Sequence, residues 1–354
     1  MIIMALQDKI TMEHGAGGQF MQELISKTIL GNISNRSAGS VGLDDLDDGA
    51  TIDLPEGLKD GSSELVITTD SHVVDPLFFP GGDIGRLSVC GTVNDLTVMG
   101  ARPLALTCAI ILREGFELSL LEKIIKSMNF AAQEANVAIV TGDTKTIQGN
   151  KLDSIIINTT GVGIASPVIR DNGLSPGDNI IVTGNLGDHG VALLSYREGF
   201  DFETKLESDV SPLNDLLKGP LQLRTPEGKS VISAMKDPTR GGLASSINEI
   251  AQKSNVGILL EEKSIPISNA VRAACEMLGL NPLEIANEGK AVIGVRSEYA
   301  QAVLDLLHSH KYGKNACIVG KAMSEHKGKV LLRTPIGSLR QLAMPVGDPI
   351  PRVC

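Results

Sequence analysis

The sequence predicts a mixed α/β protein of two domains followed by an extended tail, and three observations predict it. Apolar stripes at helical spacing alternate with short β-branched runs along the chain. A turn cluster, DNGLSPGD at Asp171 to Asp178, divides two such series, and prolines crowd the final PVGDPIPRVC. Length agrees: 354 residues correspond to ~2 domains, and 42% apolar residues let both bury a core.

In the first half, Leu121, Ile124, Ile125, Met128, Ala132 and Ala135 share one helical face between Leu118 and Ala135, and the apolar run VAIV follows at once. The segments ELVITT, LALTCAIIL and SIIINTTGVGIA read as strands bounded by Gly, Pro or Asp. The second half opens with the strand NIIVTG and a helix near Gly187. Leu243, Ile247, Ile250 and Ala251 then share a helix face, VGILLE and AVIGV read as strands, and Ala300 to Leu307 as a helix. We divide the chain into an N-terminal glycine-bearing arm (residues 1–40), a first domain (41–170), a second (171–340) and a flexible tail lying outside it (341–354).

Charge narrows the function. A net charge of −10 repels phosphate backbones, and 3% aromatics with no Trp leave few stacking platforms, so nucleic acid is not an expected partner. No apolar run reaches the ~18 residues of a membrane span, and the first ten residues lack a signal peptide's pattern, so the expected compartment is the cytosol. The five cysteines form neither a disulfide framework nor a zinc motif. Cys90, Cys108, Cys275 and Cys317 sit in apolar context and read as buried, whereas Cys354 does not.

Acidic residues recur where elements are expected to end: Asp44, Asp45, Asp47 and Asp48 in GLDDLDDGA, Asp70 in TTDSH, Asp95 in TVNDLTVMG, Asp143 in TGDTK and Asp237 in KDPTRGG. Singly, each suits a helix cap or an Asx-turn; converging on one rim, they suit hard Mg²⁺ ions shared with phosphates. In KDPTRGG, Asp237 is placed to cap a helix, with Pro238 at its first position. Gly241 and Gly242 let backbone N–H groups approach an anion beside Arg240; a plain capped helix start fits as well. HGAGG, with Gly15, Gly17 and Gly18, suits a phosphate-covering loop or a mobile terminus. Lys145 suits a phosphoryl contact or a solvated loop, and Glu288 in ANEGKAVI a proton acceptor or a turn. The GxxxxGK[ST] nucleotide loop is absent.

The tail, if extended, reaches roughly 30 Å in its last ten residues. An incidental terminal cysteine is common, yet an exposed thiol is a liability, which favours a use for Cys354.

The stretches KITMEHGAGG, TTDSHVVDPLFFPGGDIGRL, CGTVNDLTVMGARP, IVTGDTK, VTGNLGDHG, KDPTRGGL, ANEGKAVI and terminal PRVC resemble, over nearly the whole chain, the HypE family of hydrogenase maturation factors. The resemblance implies two α/β domains of the aminoimidazole ribonucleotide synthetase type, the first pairing in a homodimer to form a composite β-barrel and binding ATP. It implies a metal and phosphate site at Asp48, Asp70, Asp95 and Asp237, with Asp143 and Thr144 on the nucleotide. It also implies ATP-dependent dehydration of a carbamoyl group on Cys354 to a thiocyanate, with Lys145 and Glu288 in the chemistry and HypF, HypC and HypD as partners. The related selenophosphate synthetases carry a reactive Cys or selenocysteine near the N-terminal glycine loop, where this chain has His14 and no cysteine before Cys90. Thiamin-monophosphate kinases and a non-catalytic scaffold are the other readings.

Overall fold

The structure, a computed structural model, describes residues 10–11, 14, 18–54, 63–149, 152, 154–200, 206–347, 350 and 353. Helix α1 (Gly18–Leu24) and strand β1 (Ala50–Ile52) come first. They are followed by β2 (Glu64–His72), the small hairpin β3 (Phe78–Phe79) and β4 (Gly82–Asp83), α2 (Ile84–Val98), β5 (Ala101–Arg113), α3 (Leu118–Glu134), β6 (Ala138–Ile147) and β7 (Ile155–Ala165). The larger strands form one sheet in the order β1-β2-β7-β5-β6, antiparallel except for β5 and β6.

Helix α2 lies against this sheet. Its first turn is capped by Asp83, whose carboxylate accepts from the Gly85 and Arg86 N–H groups. Nearly every residue from Ile84 to Val98 is buried, because the sheet covers one side and α3 and the second domain cover the rest. Close approach to the sheet requires glycine: a Cβ on Gly161 of β7 would stand 2.7 Å from Thr92 Cγ2 and 2.8 Å from Leu96 Cδ1.

The second domain comprises β8 (Asn179–Val182), α4 (Asp188–Glu198), α5 (Asn214–Gln222), β9 (Ile232–Lys236), α6 (Gly242–Lys253), β10 (Gly257–Glu261), α7 (Asn269–Leu278), β11 (Val292–Val295), α8 (Ala300–His308), β12 (Cys317–Met323), β13 (Val330–Arg333) and β14 (Leu339–Leu342). Its sheet runs β14-β13-β10-β12-β8-β11-β9. Strands buried on both faces serve two cores. Leu243, Ile247 and Ile250 of α6 pack with Ile180 and Val182 on one side, and Leu216, Leu217, Val303 and Leu307 of α5 and α8 pack with Ile181 on the other.

Polar ties join the domains. Glu134 at the end of α3 meets Arg86 and Lys311, both at 2.8 Å, and accepts from the Tyr312 hydroxyl. Burial opposes its charge, but Lys311, Tyr312 and Arg86 together hold the Glu134 carboxyl down to about 2. Asn94 of α2 donates to the carbonyls of Ser211 and Glu288 and accepts from the Leu213 N–H.

Four sequence expectations need correction. Asp95 does not end a strand but lies in the last turn of α2, a helix without an apolar stripe to announce it. Asp237 does not cap the helix after it: α6 opens at Gly242 behind Gly241, which has a φ of 74° and makes no side-chain cap. Cys317 is only partly buried, although Cys90, Cys108 and Cys275 are buried. The tail is not held outside at its described residues, since Ile350 and Val353 are 1% and 2% exposed and belong to a core cluster shared by the two domains. Cys354, Gly15 and Gly17 lie outside the described residues.

Replacing Gly161 by valine forces branched carbons into the α2 interface, and a loss of ~1–3 kcal/mol is expected in urea unfolding. An unchanged midpoint would show that the helix yields at no cost.

Candidate active site

A cavity of about 380 Å³ opens between the two domains. From the first domain it is lined by Asp48, by Asp70 near the end of β2, and by Asp95 of α2; from the second come Asp237, Arg240 and Glu288. The helix and strand approach closely here because residue 91 is glycine: a Cβ would lie 2.9 Å from His72 Cε1 and 3.3 Å from Asp70 Oδ2. Gly18 lines the same cavity, its φ of 69° turning the backbone against the Pro345 carbonyl.

The aspartate run separates by partner. Asp44 pairs with Arg36 at 2.6 Å, and Asp45 accepts from the Gly42 N–H at 2.8 Å. Asp47 faces Lys253 at 3.8 Å, while Asp48 meets the Lys236 ammonium. Lys236 also stands 3.5 Å from Glu249 and 3.9 Å from Asp171, and Lys253 reaches Asp171 at 2.6 Å. These lysines bind the 46–48 loop of the first domain to β9 and α6 of the second.

The carboxyls repel one another where burial leaves their charges poorly solvated. Burial, followed by the charges of Asp237, Asp70 and Asp48, raises Asp95 well above the usual carboxylate range. Burial and the neighbouring Asp48 push Asp237 up to about 8, with Lys236 opposing. Glu288 is also raised by burial and by Asp237, Asp70 and Asp209, and its Oε1 is buried without a hydrogen-bond partner. Lys236 behaves in the opposite sense: burial works against its charge, but Asp48, Glu249 and Asp171 outweigh that and hold it well above the usual lysine range.

Among the described residues no three acidic, His or Cys side chains are close enough to share one ion. The donor set nevertheless suits a hard cation, because Asp47, Asp48, Asp70, Asp95 and Asp237 line one cavity with Glu249 and Glu288, and these carboxyls outnumber the lining cations Lys236, Arg240 and Lys253. Gly241 and Gly242 lie at the N-terminus of α6, beside Arg240.

The remaining predicted residues lie elsewhere in this chain. Asp143, Thr144 and Lys145 are on β6, an exposed edge strand, where Lys145 pairs with Asp143 at 2.9 Å. In register, Asp70 aligns with Thr159 of β7, Thr159 with Cys108 of β5, and Cys108 with Gly142 of β6. The GDTK residues therefore stand about three strand spacings of ~4.8 Å from Asp70. Sequence reasoning missed Lys236, Lys253 and Asp171, for which only the charge next to Asp237 in KDPTRGG was a hint.

A two-domain α/β chain with an acidic cavity walled by both domains defines the AIR synthase related class of proteins. The N-terminal and C-terminal domain patterns of that class match residues 46–165 and 175–333. Within the class, the chain is 55% identical to a provisionally assigned hydrogenase expression/formation protein of Methanocaldococcus jannaschii, over 98% of this chain and 100% of the relative. It is 43% identical to carbamoyl dehydratase HypE of Azotobacter vinelandii, over 98% and 97%. Among solved structures, HypE in a HypE–HypF complex superposes with a TM-score of 0.82 at 41% identity, covering 91% of this chain and 99% of that one. HypE in complex with ATP gives 0.78 at 39%, covering 98% and 100%. The chain belongs to the HypE family.

The crowded carboxyls make stability depend on pH. A carboxyl raised on folding holds its proton more tightly in the native state, so its contribution is complete below the unfolded value of about 4 and is lost as pH rises through the folded value, about 8 for Asp237. The thermal midpoint of the ligand-free protein should fall from pH 5 to pH 8, and Asp237→Asn should flatten that fall. Parallel profiles for the variant and the parent would dismiss the crowding.

Proposed function

We propose that this protein dehydrates an S-carbamoyl group on its own Cys354 to a thiocyanate at the expense of ATP, supplying cyanide for hydrogenase maturation. The observation that carries the reading is the meeting of Asp48, Asp70, Asp95, Asp237, Arg240 and Glu288 in one cavity between the domains. The HypE relatives, the ATP complex and the complex with HypF support it.

In this reading the carboxamide oxygen attacks the γ-phosphorus of ATP and ADP leaves. The nitrogen then gives up its protons as the C–O bond breaks, and the oxygen departs within inorganic phosphate, leaving S–C≡N. Amide oxygen is a poor leaving group, and phosphorylation cures that. Arg240 and the α6 N-terminus hold phosphate oxygens, and Asp48, Asp70, Asp95 and Asp237 would hold Mg²⁺, whose role is to offset charge on the phosphates. Glu288 takes a proton from nitrogen: its raised affinity makes it a strong acceptor once ionised, and its Oε1 has no other partner.

Lys145 is assigned to the phosphoryl group together with Asp143 and Thr144. We place these residues at the seam of a homodimer formed through β6, whose exposed Ile139 and Val140, at 38% and 63% exposure, favour pairing with a second copy and hence the composite barrel. Gly15, Gly17 and Gly18 are assigned to covering the nucleotide. HypF is assigned as carbamoyl donor, and HypC and HypD as the acceptor of the cyanide. Among the described residues no helix is long and apolar enough to cross a membrane, and we place the reaction in the cytosol, where ATP is available.

Intact mass after incubation with carbamoyl phosphate, the carbamoyltransferase and Mg-ATP tests the reading. The carbamoyl adduct should lose one water only when ATP is supplied; an unmodified Cys354 beside an active transferase would overturn it. Cys354→Ala should abolish cyanide formation while leaving the fold and ATP binding intact, as circular dichroism and calorimetry would report. Lys145→Ala should retain ATP but lower single-turnover dehydration by about 100-fold or more, and normal turnover would return Lys145 to the solvated surface.

A further inference from the structure

The described residues of the tail follow a defined course. The Leu342 carbonyl accepts from Asn248 of α6 at 3.0 Å, and Pro345 and Val346 pass against Gly18 at the cavity mouth. Ile350 lies over Gly190, where an added Cβ would meet its Cδ1 at 3.4 Å, and is 1% exposed. Val353 is 2% exposed, and its carbonyl stands 2.7 Å from His189 Nε2.

His189 is fully buried in the first turn of α4, with its ring edge-on to Phe79 at 5.6 Å between centroids. A carbonyl only accepts, so Nε2 carries the hydrogen and donates to Val353. Nδ1, 2.7 Å from Ser208 Oγ, then accepts from that hydroxyl, which fixes both tautomer and ring orientation. Two buried apolar side chains and one directed hydrogen bond make a built seat. The support is shared with the cavity, because Asp209, next to Ser208, accepts from the Glu288 N–H at 3.0 Å, and the Ser211 N–H lies 3.4 Å from the Glu288 carbonyl.

We propose that His189 is a positioning residue for the tail: by seating the Val353 carbonyl it gives the residue that follows, Cys354, a fixed backbone origin for dehydration. The functional half of this proposal rests on the dehydratase reading; the seat itself does not.

The experiment has two independent readouts on full-length chains. Carboxypeptidase Y release of Val353 reads seating without any reference to cyanide chemistry, and single-turnover loss of water from the carbamoylated chain reads positioning. His189→Ala should speed valine release by about tenfold or more and slow dehydration by a similar factor. His189→Gln, whose side-chain amide can donate to the same carbonyl, should recover both to within about threefold. Ile350→Asp, which removes the apolar anchor while leaving His189 in place, should reproduce the alanine phenotype, with circular dichroism unchanged. Equal valine release from parent and variants would overturn the seat. Faster release with unchanged dehydration would overturn positioning while leaving the seat, and a parent chain that is never carbamoylated would remove the dehydratase reading while leaving the release result to stand.

Discussion

Like charge forced into one closed space is the constraint on which the rest of this structure depends. Asp48, Asp70, Asp95 and Asp237 reach the cavity from a loop, a strand, a helix and a strand end, and Asp48, Asp70 and Asp237 each raise the proton affinity of a neighbour. A buried carboxylate without compensation is costly. Lys236 and Lys253 relieve part of that cost from behind, and because they sit on β9 and α6 while Asp47 and Asp48 sit on the first domain, the relief doubles as a clamp between domains. The remaining imbalance favours a polyanion only if it brings cations with it, which is the form in which ATP is presented to enzymes.

The tail gives the same cavity a second boundary. With Pro345 and Val346 over Gly18, and Ile350 and Val353 in the core, these residues of the tail are part of the domain packing. This agrees with a reaction in which the substrate is attached to the enzyme: affinity is replaced by geometry, and the residues that matter are those that orient the chain.

Legibility in the sequence followed periodicity. Leu118–Glu134 has a single apolar face and Ile155–Ala165 alternates buried with half-buried residues, so both were readable. Helix α2 was not, because it is covered on all sides and its Gly91 and Asn94 break any stripe. The cavity aspartates could be named from motifs, but their sorting could not: Asp47 and Asp48 are neighbours that turn to different lysines, and only tertiary packing separates them. Lys236 escaped notice because a lysine before an aspartate is ordinary until folding buries both. The proline-rich tail suggested an arm in solvent, and the apolar Ile350 and Val353 within it were the overlooked sign of docking.

The contact of Gly18 with Pro345 and Val346 joins residues from opposite ends of the chain at the cavity mouth. Its consequence is one of timing. During synthesis the first domain emerges and can fold while the second is still being made, yet the mouth cannot take its final shape until residue 345 has left the ribosome. A nascent chain therefore has Asp48, Asp70 and Asp95 before Asp237 and Glu288 are made, and the cavity is completed last of all, when residue 345 follows.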